Sequence, residues 1–169
     1  MRSRRALNAA GLLVCAGLLG YAWYAQAQLG LEPCPLCIFQ RVGIAACGVL
    51  FLLAALQNPG NGGARVYGAL LALAALACAA VAARHVWIQH QPEGTVQSCG
   101  ASLNYMLEVF PLTDVIRKVL TGSGECARVT WSFLGLSMPG WVLIAALGLG
   151  GFAGWVNFLP RSGQQMAQQ

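Results

Sequence analysis

The sequence predicts an all-α membrane protein, a single domain built as a bundle of four transmembrane helices. Hydrophobic residues make up 57% of the 169 residues and charged residues only 9%, against roughly 25% charged in ordinary globular proteins. Four stretches are also long and apolar enough to cross a hydrocarbon core, which takes about 20 residues each. The net charge is +5, but the basic residues form no dense stripe that could follow phosphates. The composition therefore excludes a water-soluble enzyme, a disordered tail and a nucleic-acid-binding protein.

The four predicted spans cover residues 6–27, 38–56, 66–88 and 140–159. Between the second and third spans, the glycine-, asparagine- and proline-rich segment 57–63 predicts a tight turn, so these two helices are expected to be antiparallel neighbours. Two loops, residues 28–37 and 89–139, then lie together on the opposite side of the membrane.

The first span is open to a second interpretation. Three arginines, an apolar run and the sequence Ala25-Gln26-Ala27 also resemble a secretory signal peptide with its cleavage site. We favour a retained helix for two reasons. The apolar run is longer than that of a usual signal peptide, and its aromatic residues suit a membrane interface: Tyr21, Trp23 and Tyr24.

The distribution of charge predicts the orientation of the bundle. The side that holds both termini and the 57–63 turn carries arginines and no acidic residue: Arg2, Arg4, Arg5, Arg65 and Arg161. All five acidic residues fall on the other side. Because lysine and arginine concentrate in short cytoplasmic segments, both termini are expected in the cytoplasm.

The seven cysteines fall into two groups. Cys15, Cys47 and Cys78 lie inside predicted helices among small apolar residues, where a thiol usually serves as a packing group. The other four all fall in the two outer loops, which would face the oxidising side if the membrane is a bacterial inner membrane: Cys34, Cys37, Cys99 and Cys126. This second group points to disulfide chemistry outside the cytoplasm.

The first pair lies in the motif Cys34-Pro35-Leu36-Cys37 at the start of the second span. A C-x-x-C pair closes a readily reduced disulfide, and the positive end of the helix dipole favours a thiolate at Cys37. Arg41 follows four residues later on the same helix face. An ionisable residue inside a span indicates a functional site, and a cation beside a thiolate would suit a lipid-soluble electron acceptor. The alternative is an arginine that reaches the headgroups above a structural disulfide.

The second pair, Cys99 and Cys126, is flanked by glycine and serine. These surroundings suit an exchangeable disulfide that offers one sulfur to a partner thiolate, although on its own this pair could equally be a structural staple. Zinc is set aside, because structural zinc sites commonly use two close cysteine pairs and only one exists here. Between the two cysteines, apolar residues at helical spacing predict two short amphipathic helices, about 103–110 and 112–120, on the membrane surface.

Two motifs in this layout resemble the DsbB family, which forms disulfide bonds in bacteria. The first is Cys34-Pro35-Leu36-Cys37-Ile38-Phe39-Gln40-Arg41. The second is Gly124-Glu125-Cys126-Ala127 with the continuation Trp131-Ser132-Phe133-Leu134-Gly135-Leu136-Ser137-Met138-Pro139-Gly140-Trp141. The resemblance covers nearly the whole chain. It implies a four-helix oxidoreductase of the bacterial inner membrane that reoxidises a periplasmic DsbA-type thiol oxidase and reduces membrane quinone, by family default ubiquinone rather than menaquinone.

The resemblance also implies a role for each matching residue. Cys37 would engage the quinone, with Cys34 as its disulfide partner and Arg41 assisting quinone binding. Cys99 would form the mixed disulfide with DsbA, and Cys126 would be its partner.

Three further quinone contacts follow from the same resemblance: Met138, Trp141 and His85. For His85, as for His90, a solvated or interfacial position is the alternative. For the whole chain, the alternative function is a membrane scaffold or thiol sensor with structural disulfides.

Overall fold

The computed structural model describes residues 4–91, 111, 113–114, 124–127, 129 and 131–158. Within these residues the chain forms four long helices: α1 (Arg4–Leu29), α2 (Pro35–Gln57), α3 (Asn61–Gln89) and, after a short helix and a hairpin, α5 (Met138–Phe158). Each is long and apolar enough to cross a membrane. The predicted four-helix bundle is thus confirmed, and each helix extends a few residues beyond at least one end of its predicted span.

The helix ends explain this extension. Pro35 occupies the first turn of α2, where its missing N–H costs nothing. Asn58 ends the same helix in the left-handed conformation, and its N–H donates to the carbonyl of Ala54 at 3.1 Å. Gly60 is the N-cap of α3. The turn between α2 and α3 therefore contains three residues, shorter than the predicted 57–63.

Close helix contacts depend on two glycines. A Cβ atom at Gly11 of α1 would lie 2.7 Å from the ring of Phe51 in α2, and one at Gly43 of α2 would lie 2.8 Å from Cβ of Cys78 in α3. Small residues allow helix backbones to approach closely in a membrane bundle, where van der Waals packing drives association. Both positions therefore require glycine, because any side chain would clash with the neighbouring helix.

The three cysteines of the predicted spans lie in the core. Cys15, Cys47 and Cys78 are free thiols, at most 2% exposed, and they pack against Phe51 and Leu71. This agrees with their predicted role as packing residues.

In the same bundle, α3 and α5 form the most extensive helix pair, followed by α1 with α2 and α2 with α3.

Two short elements precede α5. The helix α4 (Gly124–Ala127) contacts α3, and the strands β1 (Ser132–Phe133) and β2 (Leu136–Ser137) form an antiparallel hairpin. Its turn consists of Leu134 and Gly135, both with positive φ (52° and 79°), as a two-residue hairpin turn of type I′ requires. The sequence did not predict this hairpin. Cys99 and the expected amphipathic helices lie outside the described residues, apart from residues 113–114 of the second helix.

Candidate redox site

The C-x-x-C pair lies at the start of α2, at the end of the bundle that also holds the hairpin. Cys34 is the N-cap of the helix, and its sulfur accepts a hydrogen bond from the backbone N–H of Cys37 at 3.4 Å. Both residues are thiols, and the Cys34 thiol donates to the Cys37 sulfur at 3.1 Å. Since a disulfide has an S–S length of about 2.05 Å, the sulfurs need to approach by only about 1 Å to form the bond.

Cys126 is brought to the same place by α4. It is 1% exposed and belongs to a small apolar cluster with Cys34, Leu36 and Ile88, separate from the main core. The structure therefore brings Cys126 of the second loop into one cluster with Cys34 of the first loop, and Cys37 packs against this cluster. Cys99, predicted as the partner of Cys126, falls outside the described residues.

His85 lies at the junction between the two loops. Its side chain is 2% exposed, and Nε2 is 3.1 Å from the carbonyl oxygen of Cys126 and 3.7 Å from the sulfur of Cys34. On the other side of the ring, Nδ1 is 3.0 Å from the amide nitrogen of Gln40. Because the Gln40 amide donates to Nδ1, the proton of a neutral imidazole is on Nε2 and is donated to the Cys126 carbonyl. His85 thus contacts both loops through one nitrogen.

His90 occupies a different environment. Its ring is exposed, and Nδ1 lies 2.8 Å from the carbonyl oxygen of Val86 in its own helix. Of the two histidines considered from the sequence, His85 alone borders the cavity described next.

Arg41 is held against α1 by two hydrogen bonds. Its Nη1 donates to Oε1 of Gln26 at 2.6 Å, and its Nη2 donates to the carbonyl oxygen of Ala22 at 3.0 Å. The guanidinium carries five N–H donors. Among the described residues, these two bonds use one N–H on each terminal nitrogen, and they fix a cation one helical turn below Cys37.

A cavity of about 970 Å³ connects these features. It lies within the roughly 300–1,000 Å³ range of small-molecule sites. All the residues carried over as quinone contacts line it: Cys37, Arg41, His85, Met138 and Trp141. Apolar side chains of α1 and α5 form much of the remaining wall, among them Leu18, Leu19 and Val142. One cavity thus joins a dithiol, a cation and an apolar surface.

A row of four aromatic rings, of which only Trp141 was assigned to the quinone site from the sequence, borders the same cavity. Tyr21, Trp131, Phe133 and Trp141 follow one another with ring centroids 6.1–6.2 Å apart. The indole N–H of Trp141 also donates to the carbonyl oxygen of Phe133 at 3.1 Å. Trp131 and Phe133 belong to the second sequence motif, which was the available signal, but only the hairpin brings them to the cavity.

Comparison with known proteins decides the family. The family described as "Disulfide bond formation protein DsbB" matches residues 4–156. The chain belongs to the DsbB family. It is accordingly a disulfide oxidoreductase with four membrane-spanning helices, as its sequence motifs predicted.

Curated DsbB relatives resemble the chain along most of its length. "Disulfide bond formation protein B" of Chromobacterium violaceum is 53% identical over 135 residues, which are 80% of this chain and 81% of the relative. The protein of the same name from Methylococcus capsulatus is 50% identical over 143 residues, 85% and 87% of the two chains. That of Xanthomonas campestris pv. campestris strain 8004 is 48% identical over 157 residues, 92% and 91%.

Proposed function

We propose that this DsbB family member oxidises the dithiol of a periplasmic DsbA-type protein and passes the two electrons to membrane quinone. The observation that carries the proposal is the shared cavity, in which the C-x-x-C pair and a fixed cation face a largely apolar space. Such a space suits a lipid-soluble electron acceptor better than a water-soluble one, since apolar surface gains free energy when it leaves water.

Arg41 supplies the polar part of the proposed quinone site. The bonds to Gln26 and Ala22 hold its guanidinium in place, and its other N–H groups can donate to a quinone oxygen. A donor that is already positioned stabilises negative charge as it develops, without reorganisation during the reaction. Arg41 would therefore stabilise the oxygen that gains charge as the Cys37 thiolate donates electrons.

Met138 and Trp141 supply the other wall of the site, at the start of α5. Both nitrogens of His85 are engaged by protein groups, so we assign this residue a lining role toward the quinone and a polar role toward the cysteines. The apolar surface between α1 and α5 fits a ring substituent or an isoprenoid chain.

The electron route follows the positions of the cysteines. Cys99 would exchange with the partner's dithiol and leave Cys126 as a thiolate. Because Cys126 packs in one cluster with Cys34, its thiolate can attack Cys34 in an oxidised Cys34–Cys37 pair, forming an interloop Cys34–Cys126 disulfide and releasing Cys37. Overall, the partner loses two electrons and two protons, and the quinone gains both as quinol.

Quinone also supplies the thermodynamic drive. DsbA is itself a strong oxidant, with a potential of about −120 mV, and about 30 mV corresponds to 1.4 kcal/mol for a two-electron couple. An ordinary protein disulfide would be too weak an oxidant for this partner. Coupling the exchange to a quinone pool removes the product thiols continuously.

The proposed location is the bacterial inner membrane, with both termini in the cytoplasm. Arg4, Arg5 and Arg65 lie at the end of the bundle opposite Cys34, as the rule on positive cytoplasmic segments expects. The cysteine end would then face the periplasm, where disulfides form.

The test is quinone reduction by the purified full chain in detergent, with a reduced DsbA-type partner and ubiquinone or menaquinone. We expect turnover in the wild type and in a Cys15→Ala control, which removes a core thiol, and none in Cys37→Ser. Absence of turnover with either quinone, in protein that retains its helical content and monodispersity, would contradict the proposal and favour a scaffold or thiol sensor.

A further inference from the structure

The redox site also contains the donor set of a metal site. The sulfurs of Cys34 and Cys37 and a ring nitrogen of His85 all lie within 4.8 Å of one another. Two sulfurs and one imidazole nitrogen are typical zinc ligands. The sequence offered only one close cysteine pair. The fold adds the third donor from α3, 48 residues beyond Cys37.

The distances are close to those of a tetrahedral zinc site. Bond lengths of about 2.3 Å to sulfur and about 2.05 Å to nitrogen place two tetrahedral ligands about 3.8 Å apart for two sulfurs and about 3.6 Å apart for sulfur and nitrogen. Here Cys34 Sγ and His85 Nε2 are separated by 3.7 Å, and the two sulfurs by 3.1 Å. Side-chain rotations that move the ligand atoms by about 1 Å would complete this geometry.

A second group lies within reach of the histidine and could orient it for a metal. A metal-binding histidine usually gives its other ring N–H to a carbonyl, carboxylate or water, which fixes the orientation of the ring. The Gln40 side chain is 3% exposed and lies 3.0 Å from Nδ1 of His85. A half-turn of its amide would present the carbonyl oxygen to an Nδ1–H group, so Nε2 could bind a cation.

We propose that the reduced chain binds one Zn²⁺ through Cys34, Cys37 and His85, and that this metal site competes with formation of the Cys34–Cys37 disulfide. All three residues line the cavity, so the fourth coordination position faces it and can hold water. Zn²⁺ replaces the two thiol protons, which are released, and no electrons move. A Cys34–Cys37 disulfide provides no thiolate, so the oxidised chain does not bind the metal at this site.

The donor set defines the class of cation. Thiolate and imidazole ligands suit zinc and other soft or borderline ions, whereas Mg²⁺ and Ca²⁺ require oxygen ligands. Binding has a structural consequence as well. Nε2 of His85 would bind the metal and lose its hydrogen bond to the Cys126 carbonyl. The helix α4 would therefore lose one of its contacts with α3.

The experiment titrates Zn²⁺ into the dithiol-reduced full chain, after removal of the reductant, in competition with a chromophoric chelator. We expect one high-affinity equivalent in the wild type and in Cys15→Ala, and its loss in Cys34→Ser, Cys37→Ser and His85→Ala. Co²⁺ in place of Zn²⁺ should give the sulfur-to-metal charge-transfer and intense visible bands of a tetrahedral site. The same protein oxidised with diamide should show neither.

Gln40 provides a test that leaves the three ligands intact. Loss of a group that orients a metal ligand typically costs 10–100-fold in affinity, so Gln40→Leu should weaken Zn²⁺ binding by that factor and Gln40→Glu should restore it. Affinity that is unchanged in both His85→Ala and Gln40→Leu would overturn the proposal, as would a reduced wild type that binds no Zn²⁺. None of these readouts uses quinone or the partner protein, so the result is independent of the proposed oxidase activity.

Discussion

Replacement of Arg41 by alanine tests the proposed quinone site most directly. The change removes a cation that is held one turn below Cys37 and lines the cavity. A hydrogen bond to a charged group contributes about 1.5–3 kcal/mol. If Arg41 donates such a bond to the quinone, kcat/KM for quinone should fall about 10- to 150-fold, because each 1.4 kcal/mol corresponds to a factor of ten.

The same substitution also removes the link between α1 and α2, so a matched variant is needed. Gln26→Ala deletes the 2.6 Å partner of Nη1 but leaves the cation in place. Gln26 is exposed, and exposed charged contacts contribute about 0.2–1 kcal/mol. We therefore expect a change of about twofold in kcat/KM for this variant, far smaller than the effect of Arg41→Ala.

The assay measures initial rates of quinone reduction over a range of quinone concentrations, at a fixed concentration of reduced partner protein. A parallel reaction without added quinone follows thiol exchange between the partner and the chain by trapping of free thiols. Arg41→Ala should leave the first exchange at the wild-type rate. Equal losses in Arg41→Ala and Gln26→Ala would show that the guanidinium acts only by joining two helices, and the assigned role would be wrong.

Three further predictions concern the bundle, each read from thermal unfolding in detergent by circular dichroism. Phe51→Ala should lower the free energy of unfolding by about 3–5 kcal/mol, because this fully buried ring fills the main core; a loss below 1 kcal/mol would mean that the core relaxes into the space. Asn8→Leu breaks a buried amide pair with Asn157 and should lower the free energy of unfolding by about 0.6–2 kcal/mol. Replacing both residues by leucine should reduce this loss, because no unpaired amide is then left; a double variant whose loss equals the sum of the two single losses would contradict this coupling. Gly43→Ala adds a Cβ atom 2.8 Å from that of Cys78 and should lower the midpoint of unfolding, with partial recovery when Cys78 is changed to glycine; no recovery would place the strain elsewhere.

The sequence was sufficient to predict the four helices because the membrane imposes a simple requirement on length and polarity. An apolar window, however, marks only the hydrocarbon-spanning part of a helix. Caps set its ends, and α3 starts at Asn61 because Gly60 precedes it as the N-cap. The asparagine and glycines at the start of α3 belonged to the predicted turn by composition, yet they continue the helix once the chain has reversed.

Residues that depend on tertiary contacts were harder to predict. The hairpin turn uses Leu134, a residue rarely found at positive φ, so the sequence contained no asparagine-glycine signal. The environment of His85 was left open, because nothing local distinguishes a buried histidine from an interfacial one. Its contacts with Gln40 and Cys126 span 45 and 41 residues, and only the packing of α2, α3 and α4 brings these groups together.

The sulfur of Cys34 performs two tasks, because it caps α2 and also belongs to the redox pair. The redox state of this sulfur therefore acts directly on the backbone N–H of Cys37, which donates a hydrogen bond to it at 3.4 Å. A thiolate, a thiol and a disulfide sulfur differ as hydrogen-bond acceptors, so the amide of Cys37 should shift in frequency with each state. Isotope labelling of that single amide would therefore report the redox state of the Cys34–Cys37 pair during turnover, without any added dye.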